Sequence, residues 1–463
     1  MFKRKIISSL NDWRESKNRK PLILRGARQV GKTTLVNEFG QTFENYLYVN
    51  LESPEIQRVF ETEMPLDDRI GLLFARNGMV HRNGDTLLFI DEIQNSPKAV
   101  AMLRYFYEEH PELYVVAAGS LLENVVDLNT SFPVGRVQYL PVRPCSFAEF
   151  VGALGQDNLI EIMYDAVGSR VLHSRLMSLF SQYMVVGGMP EVVQRYADTR
   201  DLLAIDDIYE TLLQAYRDDV EKYVRSNKLS DTVRFILEHG WLMAGETVTL
   251  TGFAGSNYKA KEVGEAFRLL QKAMLLELVY PTTHTDAPIM TEMRRQPKLI
   301  WLDTGLVNHA AGIRSDIIHA HDLMDTWRGR VAEHIVAQEL LTLNDRISQR
   351  RAFWTRGKGG NSAEVDFVWQ MDGMVIPIEV KSGADSHLRS LHSFIDNSSV
   401  DIAVRVWTGE YREDDLTTII GGKRFRLFSL PFYMVGNMED IIKNQIVTPM
   451  INYPTTKPDV RIW

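Results

Sequence analysis

The stretch Gly26-Ala27-Arg28-Gln29-Val30-Gly31-Lys32-Thr33 decides the fold of the N-terminal part of this chain. It fits the pattern G-x-x-x-x-G-K-[ST], follows a short apolar run at residues 21–25, and precedes a helical pattern that closes at Gly40. A strand, a glycine-rich turn and a helix let backbone N–H groups curl around phosphate oxygens, and the helix dipole adds to the attraction. The stretch therefore predicts a phosphate-binding loop in a parallel α/β sheet.

The residues of this loop have separate expected roles. Lys32 is expected to contact the β- and γ-phosphates of ATP, and the hydroxyl group of Thr33 is expected to bind Mg²⁺. The sequence predicts nucleotide contacts at Gly26, Ala27, Arg28, Gln29, Val30, Gly31, Lys32, Thr33 and Thr34.

A second apolar run, residues 86–90, ends in Asp91 and Glu92. It is typical of a buried parallel strand, and ligands of open α/β sheets bind beyond the carboxyl ends of such strands. We expect Asp91 to hold Mg²⁺, directly or through water, and Glu92 to act as general base on the attacking water. A solvated loop is the alternative for this acidic pair. For Gln94, a role in orienting the attacking water is one interpretation, but we expect an ordinary surface residue.

Two further polar residues are candidates for contact with the nucleotide. Ser120 follows the strand predicted at residues 113–118, where a nucleotide sensor and a helix N-cap are equally good interpretations. Arg136 precedes a strand predicted at residues 137–140, and it is a candidate for neutralising charge on the γ-phosphate. It would act in its own chain or across a subunit boundary of a homo-oligomer; a solvated surface arginine is the alternative.

Composition limits the class of protein. The 463 residues exceed what one core buries, and the chain is 45% hydrophobic and 24% charged, as in folded globular proteins. The single cysteine, Cys145, suits a reducing compartment, and no apolar run reaches membrane-spanning length, so we expect a cytoplasmic protein. The net charge of −8 gives no overall support for nucleic-acid binding, although a local basic patch would still allow it.

Changes of pattern divide the chain into four predicted domains. These are an ATPase core at 1–150, a helical lid at 151–225, a winged helix-turn-helix at 226–320 and a last domain at 321–463. The lid is broken sharply once, at Gly187-Gly188-Met189-Pro190. In the winged helix, the second helix (259–272) carries both basic and acidic residues. DNA contact and partner docking are therefore both open for it.

The last domain contains a second set of catalytic residue types. Asp366 lies in a strand pattern at 364–368, and Glu379 and Lys381 lie in another at 375–381, across a turn at 372–373. Glu379 and Lys381 share one face of their strand. Two carboxylates can hold Mg²⁺, and a neighbouring lysine can position a water molecule and stabilise charge on a phosphate. Glu333, on the preceding helix, is a further candidate ligand. A plain hairpin with a polar outer face would give the same pattern.

Taken together, the motifs resemble those of bacterial and archaeal ATPases of the AAA-plus superfamily that carry a shared C-terminal region of unknown function. The motifs include LRGARQVGKTTL, LLFIDEIQ, GGMPEVV, and EVDFV with IPIEVK. The resemblance implies a parallel-sheet P-loop core with a helical lid, then a winged helix and a restriction-endonuclease-like α/β domain. It assigns phosphate-loop roles to Gly26, Gly31, Lys32 and Thr33, magnesium and base roles to Asp91 and Glu92, an adenine contact to Pro190, and nuclease positions to Asp366, Glu379 and Lys381.

Two functions follow as hypotheses. In the first, ATP hydrolysis gates a magnesium-dependent C-terminal domain that acts on nucleic acid. In the second, the protein is a nucleotide-gated interaction protein, and its nuclease-like fold is a catalytically silent scaffold.

Overall fold

The computed structural model describes residues 2–78, 85–119, 133–222, 226–313, 326–348, 350–357, 363–381 and 388–447. Within them, the N-terminal sheet has five parallel strands in the order β2-β3-β4-β1-β5. The strands are β1 (Leu22–Arg25), β2 (Asn45–Asn50), β3 (Thr86–Asp91), β4 (Tyr114–Gly119) and β5 (Gln138–Pro141). All five lie where the sequence predicts strands, near residues 21–25, 46–50, 86–90, 113–118 and 137–140, so the prediction of a parallel α/β core is confirmed.

Alternate residues of these strands pack on opposite faces of the sheet. Leu87 and Phe89 of β3 join one apolar core, whereas Leu88 and Ile90 join the other. Both faces are covered because helices connect the parallel strands. The helices of this region are α1 (Ile6–Glu15), α2 (Lys32–Gly40), α3 (Pro54–Glu61), α4 (Leu66–Arg76) and α5 (Pro97–Glu109).

A helical segment follows, as predicted. Its helices are α6 (Phe147–Ala153), α7 (Asn158–Tyr164), α8 (Ala166–Val171), α9 (His173–Val186), α10 (Pro190–Thr199) and α11 (Asp206–Lys222). The break between α9 and α10 lies at Gly187, which has φ 69°. Pro190 then begins α10, where a proline costs no hydrogen bond.

The third region contains two longer helices and an antiparallel pair of strands. Helices α12 (Asn227–His239) and α13 (Ala260–Lys272) precede β6 (Leu276–Val279) and β8 (Lys298–Trp301), which pair antiparallel. The short strand β7 (Pro281–Thr282), which lies between β6 and β8 in the sequence, pairs with β9 and so extends the C-terminal sheet. The third region therefore contributes one strand to the sheet of the C-terminal region. A short helix, α14 (Thr304–Ala310), follows β8.

The C-terminal sheet has the order β13-β14-β12-β11-β10-β9-β7. Its further elements are α15 (Thr326–Leu340), β9 (Ala352–Thr355), β10 (Glu364–Met371), β11 (Met374–Lys381), α16 (Arg389–Asp396), β12 (Ile402–Trp407), β13 (Arg412–Thr417), β14 (Arg424–Pro431) and α17 (Met438–Val447). β9, β10 and β11 run antiparallel, and β12 is parallel to β11. The predicted hairpin is present: its turn has φ 48° at Asp372 and 82° at Gly373, typical of a two-residue loop. No helix among the described residues is long and apolar enough to span a membrane.

Candidate nucleotide site and acid–lysine cluster

The phosphate loop lies between β1 and α2, at the carboxyl edge of the first sheet. Gly31 has φ 90°, a left-handed conformation that glycine adopts without steric cost, and it directly precedes α2. Lys32 is buried, and its Nζ donates hydrogen bonds to the carbonyl oxygens of Gly26 (2.9 Å) and Ala27 (2.7 Å). Burial lowers the pKa of Lys32 to about 8, and the nearby charges of Glu92 and Asp91 oppose that change. The loop thus holds a desolvated cation where the sequence predicts phosphate contacts.

Thr33 and Asp91 meet at this edge. The hydroxyl group of Thr33 donates a hydrogen bond to Oδ2 of Asp91 at 2.7 Å. Burial raises the pKa of the Asp91 carboxyl, and its hydrogen bond from Thr33 acts in the opposite direction. A hydroxyl and a carboxylate are the oxygen donors that Mg²⁺ prefers, so these two side chains fit the ion that accompanies ATP.

Glu92 has a left-handed backbone conformation, with φ 52° and ψ 42°. For a residue other than glycine this costs about 1–3 kcal/mol, and such conformations cluster at functional sites. The Nε2 group of Gln94 donates a hydrogen bond to Oε2 of Glu92. The expectation that Gln94 is a surface residue is wrong: its side chain is buried, because the chain makes a 3₁₀ turn at Ile93–Asn95 that folds it back on the acid. Gln94 therefore orients the candidate base.

The turn at residues 187–190, here called the Gly-Pro turn, lies against the phosphate loop. A Cβ placed on Gly31 would be 3.6 Å from Cγ of Pro190, which is ordinary contact distance. The carbonyl oxygen of Gly188 accepts a hydrogen bond from the N–H of Cys145 at 2.6 Å. Pro190 is therefore close enough to the loop to contact a nucleotide there.

Helix α11 also contacts the loop. Its Asp219 forms an ion pair with Arg28 at 2.8 Å, and the hydroxyl group of Tyr216 donates a hydrogen bond to the carbonyl oxygen of Arg28 at 3.2 Å. The helical segment thus contacts the phosphate loop through α11 as well as through the Gly-Pro turn. Both residues lie in the stretch YRDDVEKY (216–223), one of the motifs on which the family resemblance rests, but no nucleotide role was predicted for either of them.

One predicted nucleotide residue, Arg136, is not brought to the loop. Arg136 precedes β5, whose first residue pairs with Leu22, the first residue of β1, whereas the loop follows the last residue of β1. Arg136 therefore lies at the opposite edge of the sheet, where its Nε forms an ion pair with Glu108 at 3.1 Å. A role at the loop of its own chain is therefore excluded, whereas action on a neighbouring subunit and a solvated surface arginine are both left open. Ser120 lies outside the described residues.

The predicted C-terminal residues do converge. Phe367 pairs with Ile378, which brings Asp366 beside Glu379 on the neighbouring strand. The N–H of Val380 donates to Oδ2 of Asp366 at 2.8 Å, and Nζ of Lys381 lies 2.7 Å from Oε1 of Glu379. Burial, and next the charge of Asp366, raise the pKa of Glu379 to about 7. The two carboxylates thus repel each other in a poorly solvated place.

A residue that the sequence did not suggest lies among these acids. Lys298, the first residue of β8, is buried, and its Nζ lies 2.8 Å from Oε1 of Glu364, 3.2 Å from Oε2 of Glu333 and 3.9 Å from Oδ1 of Asp366. We call the whole set the acid–lysine cluster: Glu333, Glu364, Asp366, Glu379, Lys298 and Lys381. Because Lys298 is a cation among carboxylates, it does part of what a bound metal ion would do.

The resemblance implies Mg²⁺ at this cluster, and its donors fit the ion in part. Oε2 of Glu379 is buried and has no hydrogen-bond partner among the described residues, so it is free to bind a cation. Glu379 and Asp366 would supply hard oxygen ligands, and the ion would polarise a phosphate and a water molecule. Glu333, however, is paired with Lys298. The described residues contain no group of three or more side chains of the metal-binding types positioned around one ion.

Three separate parts of the chain match known protein families. Residues 18–151 match the family model of the AAA domain. The N-terminal region is an AAA-like P-loop domain. Residues 177–317 and 328–421 match two models described as domains of unknown function, DUF8612 and DUF4143. A Walker-type ATPase of Pyrococcus abyssi is among the similar solved structures; it has a TM-score of 0.41 and 16% identity, covering 67% of this chain and 96% of the other. No curated protein matches the sequence significantly.

Proposed function

We propose that this chain binds and hydrolyses ATP in its AAA domain and that the nucleotide state controls a nuclease-like C-terminal domain. One observation carries the first part: the Thr33–Asp91 hydrogen bond joins the phosphate loop to the acidic end of β3, next to Glu92. In this proposal Lys32 holds the phosphates, Thr33 and Asp91 hold Mg²⁺, and Glu92, oriented by Gln94, accepts a proton from the attacking water.

The nuclease-like part is supported by the convergence of Asp366, Glu379 and Lys381 on neighbouring strands. In this proposal the domains are the core at 1–150, the lid at 151–225, the winged helix at 226–320 and the nuclease-like domain at 321–463. With Mg²⁺ on Asp366 and Glu379, Lys381 would stabilise negative charge that develops on a phosphodiester. DNA is the substrate class that we propose for this site.

A specific observation favours a second candidate function. Lys298 already neutralises Glu333 and Glu364 and lies near Asp366, as expected if the cluster is held together without a metal. The domain would then be a silent scaffold that binds a partner when the nucleotide state changes.

Cleavage of plasmid and single-stranded DNA separates the two candidates. The assay uses Mg²⁺ or Mn²⁺, with and without ATP, and compares the parent protein with Lys381→Ala. Cleavage that is lost in the variant supports the nuclease, and a requirement for ATP supports control by the AAA domain. Absence of cleavage by the parent, while it hydrolyses ATP, would contradict the nuclease and favour the scaffold.

A further inference from the structure

A cleft lies beside the phosphate loop, between the AAA domain, α13 and the segment before β9. Its volume is about 600 Å³, within the range of pockets that bind small molecules. It is bordered by Ala27 of the loop, whereas Lys32, Thr33 and Pro190 do not line it. The cleft is therefore distinct from the place where the loop is expected to hold the phosphates of ATP.

The charge of this cleft is strongly positive. Glu277 is the only acidic residue among the described residues that line it, and it forms an ion pair with Arg351 at 2.6 Å. The cationic residues that line it are Arg25, Arg143, Arg268, Lys272, Arg350 and Arg351. The chain as a whole has a net charge of −8, so this concentration of cations is a local feature. Like charges so close together repel one another, and a bound anion would remove that cost.

Arg143, which lines the cleft, has a donor that a bound anion can engage. Its Nε atom is buried and has no hydrogen-bond partner among the described residues, while its Nη2 donates to the carbonyl oxygen of Arg346 at 3.3 Å. Burial, and next the charge of Arg351, lower its pKa to about 10. Buried donors are nearly always paired, and a phosphate oxygen is a suitable partner for a guanidinium.

Most of the other lining residues are apolar, and one of them, Tyr280, has a half-buried aromatic ring. Leu250, Leu276 and Ile300 contribute aliphatic surface, and Tyr280 contributes a ring on which a planar base can stack. Cations beside such a surface suit a ligand with phosphates at one end and a flat ring at the other.

We propose that this cleft binds a nucleoside phosphate, supplied either as a free nucleotide or as the end of a nucleic-acid strand. In this proposal α13, which carries both basic and acidic residues, helps to bind the phosphates. Arg268, Gln271 and Lys272 lie on its cleft-lining face, whereas Lys261 does not line the cleft. The site goes beyond the proposed function and does not require that the phosphate loop hydrolyse ATP.

Equilibrium dialysis on the full chain tests the site, with the Lys32→Ala variant as the background so that binding at the phosphate loop is weakened. The two probes are ADP and a 5′-phosphorylated trinucleotide. We expect saturable binding of at least one probe, at one site per chain. Binding of ADP alone identifies a free nucleotide, binding of the trinucleotide alone identifies a strand end, and binding of both supports the shared chemistry.

Added to that background, Arg268→Ala and Arg143→Gln should each weaken binding about tenfold, as expected for the loss of one charge-assisted hydrogen bond. Arg268 is exposed, so its replacement leaves the fold intact even if that of Arg143 does not. Lys261→Ala, also exposed on α13, is the matched control and should have no effect. Two results would overturn the proposal: neither probe binds, or Lys261→Ala weakens binding as much as Arg268→Ala.

Discussion

The carboxylate of Asp303 accepts a hydrogen bond from the backbone N–H of Gly188, two residues before Pro190. The same carboxylate caps α14 through the N–H of Leu306 at 3.0 Å and accepts a hydrogen bond from Gln338 of α15 at 3.4 Å. Helix α15 also carries Glu333 of the acid–lysine cluster. Helix α15 therefore contacts both the carboxylate that holds the Gly-Pro turn and the C-terminal cluster, and we expect any coupling between the two sites to run through this helix.

Replacement of Thr33 by valine should abolish the magnesium dependence of nucleotide binding and lower ATP hydrolysis by about 100-fold or more, because the hydroxyl group that binds the ion is lost. Thr34→Val is the matched control: Thr34 is the next residue, is exposed, and keeps its backbone N–H. Phosphate release measured at several Mg²⁺ concentrations checks this. Equal losses in the two variants would show that the Thr33 hydroxyl has no special role.

Gly188→Ala should destabilise the protein and weaken nucleotide binding. A Cβ on Gly188 would overlap the carbonyl oxygen of Cys145 and lie 2.9 Å from its nitrogen, so the Gly-Pro turn has to move. Overpacking of this kind costs about 1–3 kcal/mol. Gly71→Ala in α4 meets nothing within 4 Å and should instead stabilise by about 0.5–1 kcal/mol. Urea unfolding measures both changes, and a neutral Gly188→Ala would contradict the tight packing of the turn.

Lys298→Met should destabilise the protein by about 1–3 kcal/mol, because loss of the buried ammonium group leaves partly buried carboxylates uncompensated. Added Mg²⁺ should restore part of this loss if the ion takes the place of the ammonium group. Lys228→Met, which breaks a pair with Glu262 from a side chain that is 69% exposed, is the control and should change little. Unfolding curves with and without Mg²⁺ decide the question; an unchanged stability of Lys298→Met would refute the role given to this lysine.

The free energy of unfolding should fall as pH rises from about 4.5 to 7, partly because of Glu339. Burial raises the pKa of this carboxyl to about 7, against hydrogen bonds from the Tyr183 hydroxyl at 2.8 Å and the Phe147 N–H at 3.0 Å. The folded state thus binds a proton at Glu339 more tightly than the unfolded chain does. The stabilisation that this proton provides is lost as pH rises through the pKa of the folded state.

Glu339→Gln keeps an acceptor oxygen but cannot titrate, so it should flatten this pH dependence by an amount on the order of 3 kcal/mol. Glu333 and Glu379, whose pKa values burial also raises to about 7, should maintain a residual slope. The exposed residue Glu161, changed to glutamine, provides the control. Unfolding at pH 5 and pH 8 gives the comparison, and identical slopes for parent and Glu339→Gln would contradict the assignment.

Local patterns predicted much of the fold, because they depend on neighbours in the sequence. The phosphate loop, the strand that ends in Asp91 and the hairpin of Asp366 and Glu379 each combine a hydrophobic period with a turn signal. The AAA domain match and the five observed strands confirm the predicted P-loop fold of the core.

Local patterns do not predict which residues that are distant in the sequence lie close together in the fold. Lys298 lies 35 residues from Glu333, and a lysine at the start of the otherwise apolar strand β8 was its only signal. The sequence predicts a surface position for Gln94, but the 3₁₀ turn brings its side-chain amide into a hydrogen bond with Glu92. Arg136 has the residue type for transition-state charge, but strand register alone decides which edge of the sheet it occupies.

ATP hydrolysis by the parent and by Lys32→Ala tests the central claim most directly. Release of inorganic phosphate is measured with Mg²⁺ at saturating ATP, and nucleotide binding is followed in parallel. We predict turnover by the parent and its loss in Lys32→Ala, because Nζ of Lys32 is the buried cation of the loop. Hydrolysis by Lys32→Ala at the parent's rate would contradict the assignment of the phosphate loop and, with it, the proposed function.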